Sequence, residues 1–212
     1  MPMLAFFHKK RRTLTVRGAF LGTLFFCSLT HCASQAQKRN YNIFFLGIPV
    51  GNMSIEKKTE GSMEMYELRS HAEADFLVGR RINDVEMRTI FKNDLMISAF
   101  SRISENGKVE SFASTSWDGS QYWVHTDKGK FTVNEPATYS VISFYFKEPP
   151  PGTHKIFSEQ IGQFVPLEKI GSNTYRYRLP NGDLNIYTYR NGKLGEVTMK
   201  RTFGTAHIRP AN

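Results

Sequence analysis

Apolar and polar residues alternate with a period of two through most of residues 41–209, and turn-forming pairs interrupt the alternation at short intervals. The turn signals are Glu60-Gly61, Asn93-Asp94, Asn106-Gly107, Asp118-Gly119, Asp127-Lys128-Gly129, Gly171-Ser172-Asn173, Asn181-Gly182 and Asn191-Gly192. Between them lie short runs rich in Val, Ile, Thr, Tyr and Phe, which is how antiparallel hairpins are written. The pattern predicts strands near 41–47, 50–58, 64–74, 82–92, 95–104, 108–116, 121–126, 130–134, 154–158, 163–170, 173–179, 184–190, 194–202 and 205–209. No segment carries a long helical period. A meander of this many strands curls or splits. The expected fold is therefore all-β, a strongly curved antiparallel half-barrel or open barrel.

The stretch from Tyr175 to Lys200 tests how far register can be read. A two-residue turn at Asn181-Gly182 sets Leu179 opposite Leu184, Tyr177 opposite Ile186 and Tyr175 opposite Thr188. A second at Asn191-Gly192 sets Tyr189 opposite Leu194, Tyr187 opposite Glu196, Ile186 opposite Val197 and Leu184 opposite Met199. One face then holds Tyr175, Tyr177, Leu179, Leu184, Ile186, Val197 and Met199. The other holds Arg176, Arg178, Asn185, Tyr187, Tyr189, Glu196, Thr198 and Lys200. A type I turn over Leu179-Pro180-Asn181-Gly182 with a bulge would instead place Arg178 against Leu184 and mix the two sets, so the pattern disfavours it, whereas a four-residue loop from Pro180 to Asp183 keeps the same register and stays open.

One segment breaks the rhythm. Glu135 to Gly152 is bracketed by Pro136 and by Pro149-Pro150-Pro151-Gly152. Thr138 can cap a short helix, with Val141, Phe144 and Tyr145 on one face; a strand is the competing reading, because Val, Ile, Phe and Tyr favour sheets. The reading adopted is at most one short helix near 138–146, crossing between two groups of strands. The triple proline marks a connection, since it cannot occupy a central strand.

The N-terminus changes what the bulk charge means. His8 to Arg12 plus Arg17 form a basic start, Gly18 to Leu29 an apolar run, and Ala33 to Ala36 a small-residue site for cleavage before Gln37. This is the layout of a secretory signal peptide over 1–36, with a single β domain over 37–212. The expected location is the periplasm or the outer membrane. Leu29 and Cys32 resemble a bacterial lipobox, but His31 stands where that motif wants a small residue, so lipidation of Cys32 is disfavoured. The chain has 28 Lys+Arg, 19 Asp+Glu and a net charge of +9. Lys9, Lys10, Arg11, Arg12 and Arg17 lie in 1–36, leaving 23 against 19, or +4, for the remainder. That is ordinary solubility and removes the motive for nucleic-acid binding. Cys27 and Cys32 are the only cysteines, both ahead of the cleavage point, so no disulfide, thiolate nucleophile or cysteine metal site is expected in the domain. No later segment is long and apolar enough to cross a membrane.

Motif chemistry is sparse. Phosphate loops, dinucleotide fingerprints, the zinc-protease helix motif and the nucleophile elbow are absent. His71, His125, His154 and His207 lack a second His or Cys at ligand spacing, and Glu105 and Glu110 flank a turn where they are most simply solvated. No catalytic residue, metal site or cofactor is assigned. Two apolar features are the candidate ligand sites. Phe76, Leu77 and Val78, followed by Arg80 and Arg81, could rim an apolar cavity with cations near a lipid headgroup, although a strand entering the core is the plainer reading. Val141 to Phe146, with Phe144 at its centre, could plug such a cavity, again with core packing as the plainer reading. Tyr175 and Tyr177 would line it. Trp117, Tyr122 and Trp123 could stack across a hairpin.

The order of "YNIFFLGIPVGNMSI", "FKNDLMISAFSRISENGKVES" and "PNGDLNIYTYRNGKLGEVTM" resembles a family of exported Gram-negative proteins, common in the Bacteroidetes, that carries only a domain-of-unknown-function label. Related exported families look like curved sheets, comparable in outline to the half-barrels of lipoprotein carriers. The resemblance implies location and architecture and supplies no site residue. Together these readings point to a non-enzymatic binder of a lipid-like or other apolar ligand on a concave sheet face. The alternative is a structural envelope protein with a packed interior that binds another protein through its sheet edge or rim. A hydrolase without a recognisable motif ranks last.

Overall fold

The computed structural model describes residues 35–76 and 79–211, with the side chain of Phe76 outside that description. The expectations placed on 1–34, on Leu77 and on Val78 lie outside the described residues.

Fourteen strands form one antiparallel sheet. They are β1 (Gln35–Phe45), β2 (Ile48–Glu60), β3 (Met63–Phe76), β4 (Gly79–Lys92), β5 (Leu95–Glu105), β6 (Lys108–Trp117) and β7 (Tyr122–Thr126), then β8 (Gly129–Val133), β9 (Lys155–Ser158), β10 (Gln163–Gly171), β11 (Thr174–Arg178), β12 (Leu184–Arg190), β13 (Lys193–Arg201) and β14 (Gly204–Pro210). All fourteen expected strands are present, and the all-β, curved and open fold class is borne out. β1 begins two residues ahead of the domain start expected at 37.

The spatial order runs from β8 back through β1, then from β14 back through β9. The chain therefore starts at the middle, walks outward to one edge at β8, crosses to the opposite edge at β9 and walks back until β14 pairs with β1. Tight turns enforce the walk. Asn93-Asp94, Asn106-Gly107 and Asn191-Gly192 all have positive φ at both central positions, with first-position values of 50°, 51° and 51°. This is the type I′ geometry whose twist matches that of the flanking strands.

The crossing stretch between β8 and β9, residues 134–154, lies over the concave face. Its only regular element is a five-residue 3-10 turn, Val141–Tyr145, every residue of which is buried. The expected short helix is thus present in tighter form. On the way in, the Met96 amide donates to the Ala137 carbonyl at 2.9 Å. At the far side Ser140 bridges to Phe157 of β9 and caps that edge. Rolling of the sheet brings Tyr122 of β7 to 5.5 Å from Phe157 of β9, ring centre to ring centre. The two ends of the sheet meet through side chains while their strands stay unpaired.

Two register expectations are corrected. Tyr177 pairs with Asn185, Tyr175 with Tyr187 and Arg178 with Leu184. The connection is the disfavoured one: the Gly182 amide donates to the Leu179 carbonyl at 2.9 Å, a type I turn with Pro180 at its second position, and Gly182 follows at φ 90°. Downstream, Tyr187 pairs with Val197 rather than Glu196, because a bulge between Thr188 and Tyr189 skips Gly195. Consequently Tyr187, Tyr189 and Asn185, expected on the solvated face, are buried, while Leu184, Ile186 and Met199 are only half-buried.

Candidate functional site

All nine tyrosines of the chain are buried: Tyr41, Tyr66, Tyr122, Tyr139, Tyr145, Tyr175, Tyr177, Tyr187 and Tyr189. Most of them gather around the crossing strap. Phe144 packs on Tyr187 at 4.5 Å and on Tyr139 at 5.4 Å, and Tyr145 packs on Tyr41 at 5.6 Å. Tyr177 stacks on Tyr187, and Tyr175 meets Tyr189 edge to face. A 3-10 turn leaves most of its carbonyls without internal partners, and inside a protein each needs a donor. The tyrosines and one arginine supply several of these. Tyr189 donates to the Phe144 carbonyl at 2.8 Å, Arg39 to the Tyr145 carbonyl at 2.6 Å, and Tyr139 to the Lys147 carbonyl. Tyr122 donates to the Met96 carbonyl at 2.7 Å and accepts from the Ala137 amide at 3.0 Å. Burial raises the pKa of Tyr122, Tyr139 and Tyr189 above the ordinary 10, so they stay protonated donors.

The β9–β10 turn inserts a carboxyl into the same interior. Glu159 is 1 % exposed. One of its oxygens accepts from Thr89 Oγ1 at 3.2 Å and from the Ile142 amide at 3.3 Å. Its Oε2 has no partner, and neither do Ser140 Oγ and Thr115 Oγ1. Burial holds its pKa above the ordinary value. Ser140, its own amide, the Ile142 amide and Thr89 oppose that shift. The turn fits because Gly162 sits where an added Cβ would come within 2.3 Å of Val124. Sequence reasoning missed Glu159. Ser158-Glu159-Gln160 carries no motif and reads as a plain polar turn.

Among the sequence-proposed ligand residues, the structure brings Phe144, Tyr175 and Tyr177 together, packed against one another's neighbours in the core. Arg80 and Arg81 stand apart from that group. They lie where β3 and β4 pair beyond their neighbours, exposed and ion-paired with Glu73 and with Glu105. Trp117 and Tyr122 meet across the hairpin at 4.7 Å, with ring planes tilted by 58° rather than stacked, whereas Trp123 is exposed and bonded to Asp118. His71 pairs with Asp84 at 2.7 Å and His207 with Glu196 at 3.0 Å. The first pair lies in an open polar groove of about 610 Å3 across β2–β6. No group of three or more His, Cys, Asp or Glu able to hold a metal occurs among the described residues. No helix among them is long and apolar enough to cross a membrane.

Residues 41–211 match the family model described as Domain of unknown function (DUF6134). The chain belongs to the DUF6134 family. The match bears out the expectation of a family of unknown function over this span. No curated protein and no solved structure matches the chain. For this DUF6134 protein the filled concave face is therefore the main structural guide to function.

Proposed function

We propose that the protein is an exported envelope protein with a packed interior, which acts by binding at the exposed rim of its sheet. The observation that carries this reading is the strap. Residues 137–147 occupy the concave face where an apolar ligand would lie, and tyrosine hydroxyls and Arg39 bond the strap's own carbonyls there. Two grooves among the described residues are open rather than enclosed, and charged and polar residues make up most of their lining. A carrier would present an apolar cavity with a few convergent polar groups. The basic, apolar and small-residue zones of 1–36 support export.

The test is native purification from an envelope fraction followed by organic extraction and mass spectrometry. The packed reading expects lipid far below one molecule per chain. One tightly held lipid per chain, retained through size exclusion, would overturn it.

A further inference from the structure

Two neighbouring hairpin ends carry exposed apolar residues. Leu46 and Ile48, at the β1–β2 turn, are 67 % and 66 % exposed, and Phe203, at the β13–β14 turn, is 84 % exposed. The two turns touch. The Leu46 amide donates to the Thr205 carbonyl at 3.2 Å, and a Cβ on Gly204 would lie 3.3 Å from Leu46 Cδ2. Leu46 has φ 49° and precedes Gly47 at φ 85°, the geometry that the other type I′ turns give to Asn. A leucine held in that conformation is strained, and its exposed side chain gains no burial energy to offset the strain.

Beside Phe203 an open groove of about 400 Å3 lies between the 179–183 loop and the end of β13. Arg178, Lys200 and Arg201 line it against a single carboxylate, Asp183. Asp183 is engaged by Arg201 at 3.2 Å, Arg178 donates to the Gly182 carbonyl, and Lys200 has no carboxylate partner among the described residues. Apolar tips next to a groove with surplus cations have the chemistry of an anionic bilayer surface, where tips enter the acyl boundary and cations meet headgroup phosphates.

We infer that this corner is a docking surface for an anionic phospholipid bilayer, with Leu46, Ile48 and Phe203 as the inserted residues and Arg178 and Lys200 as headgroup contacts. This deepens the rim-binding reading and rests on it. The contact is peripheral and reversible, because three side chains insert and no span is involved.

The test is sedimentation of the purified protein with large unilamellar vesicles of phosphatidylcholine alone and of phosphatidylcholine with phosphatidylglycerol at about three to one. Binding to the anionic vesicles is expected to weaken as salt rises. The triple variant Leu46→Asn, Ile48→Thr, Phe203→Ser is expected to lose about tenfold or more of that binding while melting no lower than wild type. Arg178→Gln with Lys200→Gln is expected to lose the preference for anionic vesicles. Equal sedimentation of wild type and the triple variant, or no sedimentation of wild type, overturns the inference. So does self-association in sedimentation velocity that the triple variant abolishes, which would make the corner a contact between copies. A stoichiometric lipid extracted from the triple variant in the absence of vesicles would instead count against the packed interior.

Discussion

Replacing Glu159 with Gln should stabilise the protein at pH 8 and leave it nearly unchanged at pH 4. The native carboxyl is 1 % exposed and has one oxygen without a partner. Burial holds its pKa above the ordinary 4.5, so the folded chain keeps a proton that the unfolded chain releases once the pH passes that value. Stability contributed by this group is therefore complete below about pH 4.5 and declines as the pH rises toward the native pKa. Gln cannot ionise. It keeps an acceptor for Thr89 and the Ile142 amide and can turn an N–H toward Ser140 Oγ, which also lacks a partner. At pH 4 the protonated carboxyl offers an O–H where Gln offers an N–H, so the gain appears only as the carboxyl ionises and Oε2 is left a buried acceptor without a donor, which costs about 1–3 kcal/mol. Taking about 1–2 kcal/mol of that as recoverable, and about 2–4 °C per kcal/mol for a domain of this size, Tm should rise by about 2–8 °C at pH 8. The assay is thermal unfolding of both proteins at half-unit steps from pH 4 to 8, read as the difference in Tm so that every other titrating group cancels. A difference that is flat across this range would refute the proton linkage. A variant less stable than wild type at pH 8 would refute the account of Glu159 as a buried, incompletely partnered carboxyl.

Three further outcomes follow from the same contacts. Tyr189→Phe removes the donor to the Phe144 carbonyl, and denaturant melts should show a loss of about 1–2 kcal/mol with an unchanged m-value. Gly162→Ala places a methyl against Val124 at a residue with φ 65°, and should cost about 2–4 kcal/mol; adding Val124→Ala should recover less than half, since it relieves the clash and not the backbone strain. Leu46→Asn alone should raise stability by about 1 kcal/mol in the same melts, because Asn tolerates the left-handed conformation that leucine is forced to adopt there.

The strands were legible because two independent signals agree along the chain. Period-two alternation marks each strand, and Asn-Gly, Asn-Asp or Asp-Gly pairs mark many of the ends. In the register of β11 to β13 the pair next to the Asn191-Gly192 turn, Tyr189 opposite Leu194, was legible, and the rest was not, for two reasons that share a root. The faces were sorted by hydropathy, which ranks Ile186 and Leu184 as interior and leaves Tyr187 beside Glu196. The fold buries Tyr187, Tyr189 and Asn185 and half-exposes the aliphatics. Gly195 inside a strand was the missed sign of a bulge, and it moves every downstream partner of β12 by one. Glu159 was illegible in principle. Its burial depends on a turn meeting β4, β6, β7 and the strap at once, and no local pattern encodes a meeting of four distant segments.

The tyrosines explain why hydropathy chose the wrong face. An interior closed by another strand would offer side chains only, and aliphatic residues would fill it. Here the interior is closed by a strap whose backbone is mostly irregular, so carbonyls of Phe144, Tyr145 and Lys147 arrive where no sheet can pair them. Leaving each unpaired would cost about 1–3 kcal/mol, comparable to the burial of an aliphatic side chain. Tyrosine meets both needs, with a ring that fills volume and a hydroxyl that reaches the strap. The alternation Tyr175-Arg176-Tyr177-Arg178 is then the inward face of a sheet built to hold a strap, set against an outward face of Arg176 ion-paired with Glu168. The same residue choice that resembles a ligand-binding wall in sequence holds the chain's own strap against that wall, which is why the proposed function places the partner at the rim.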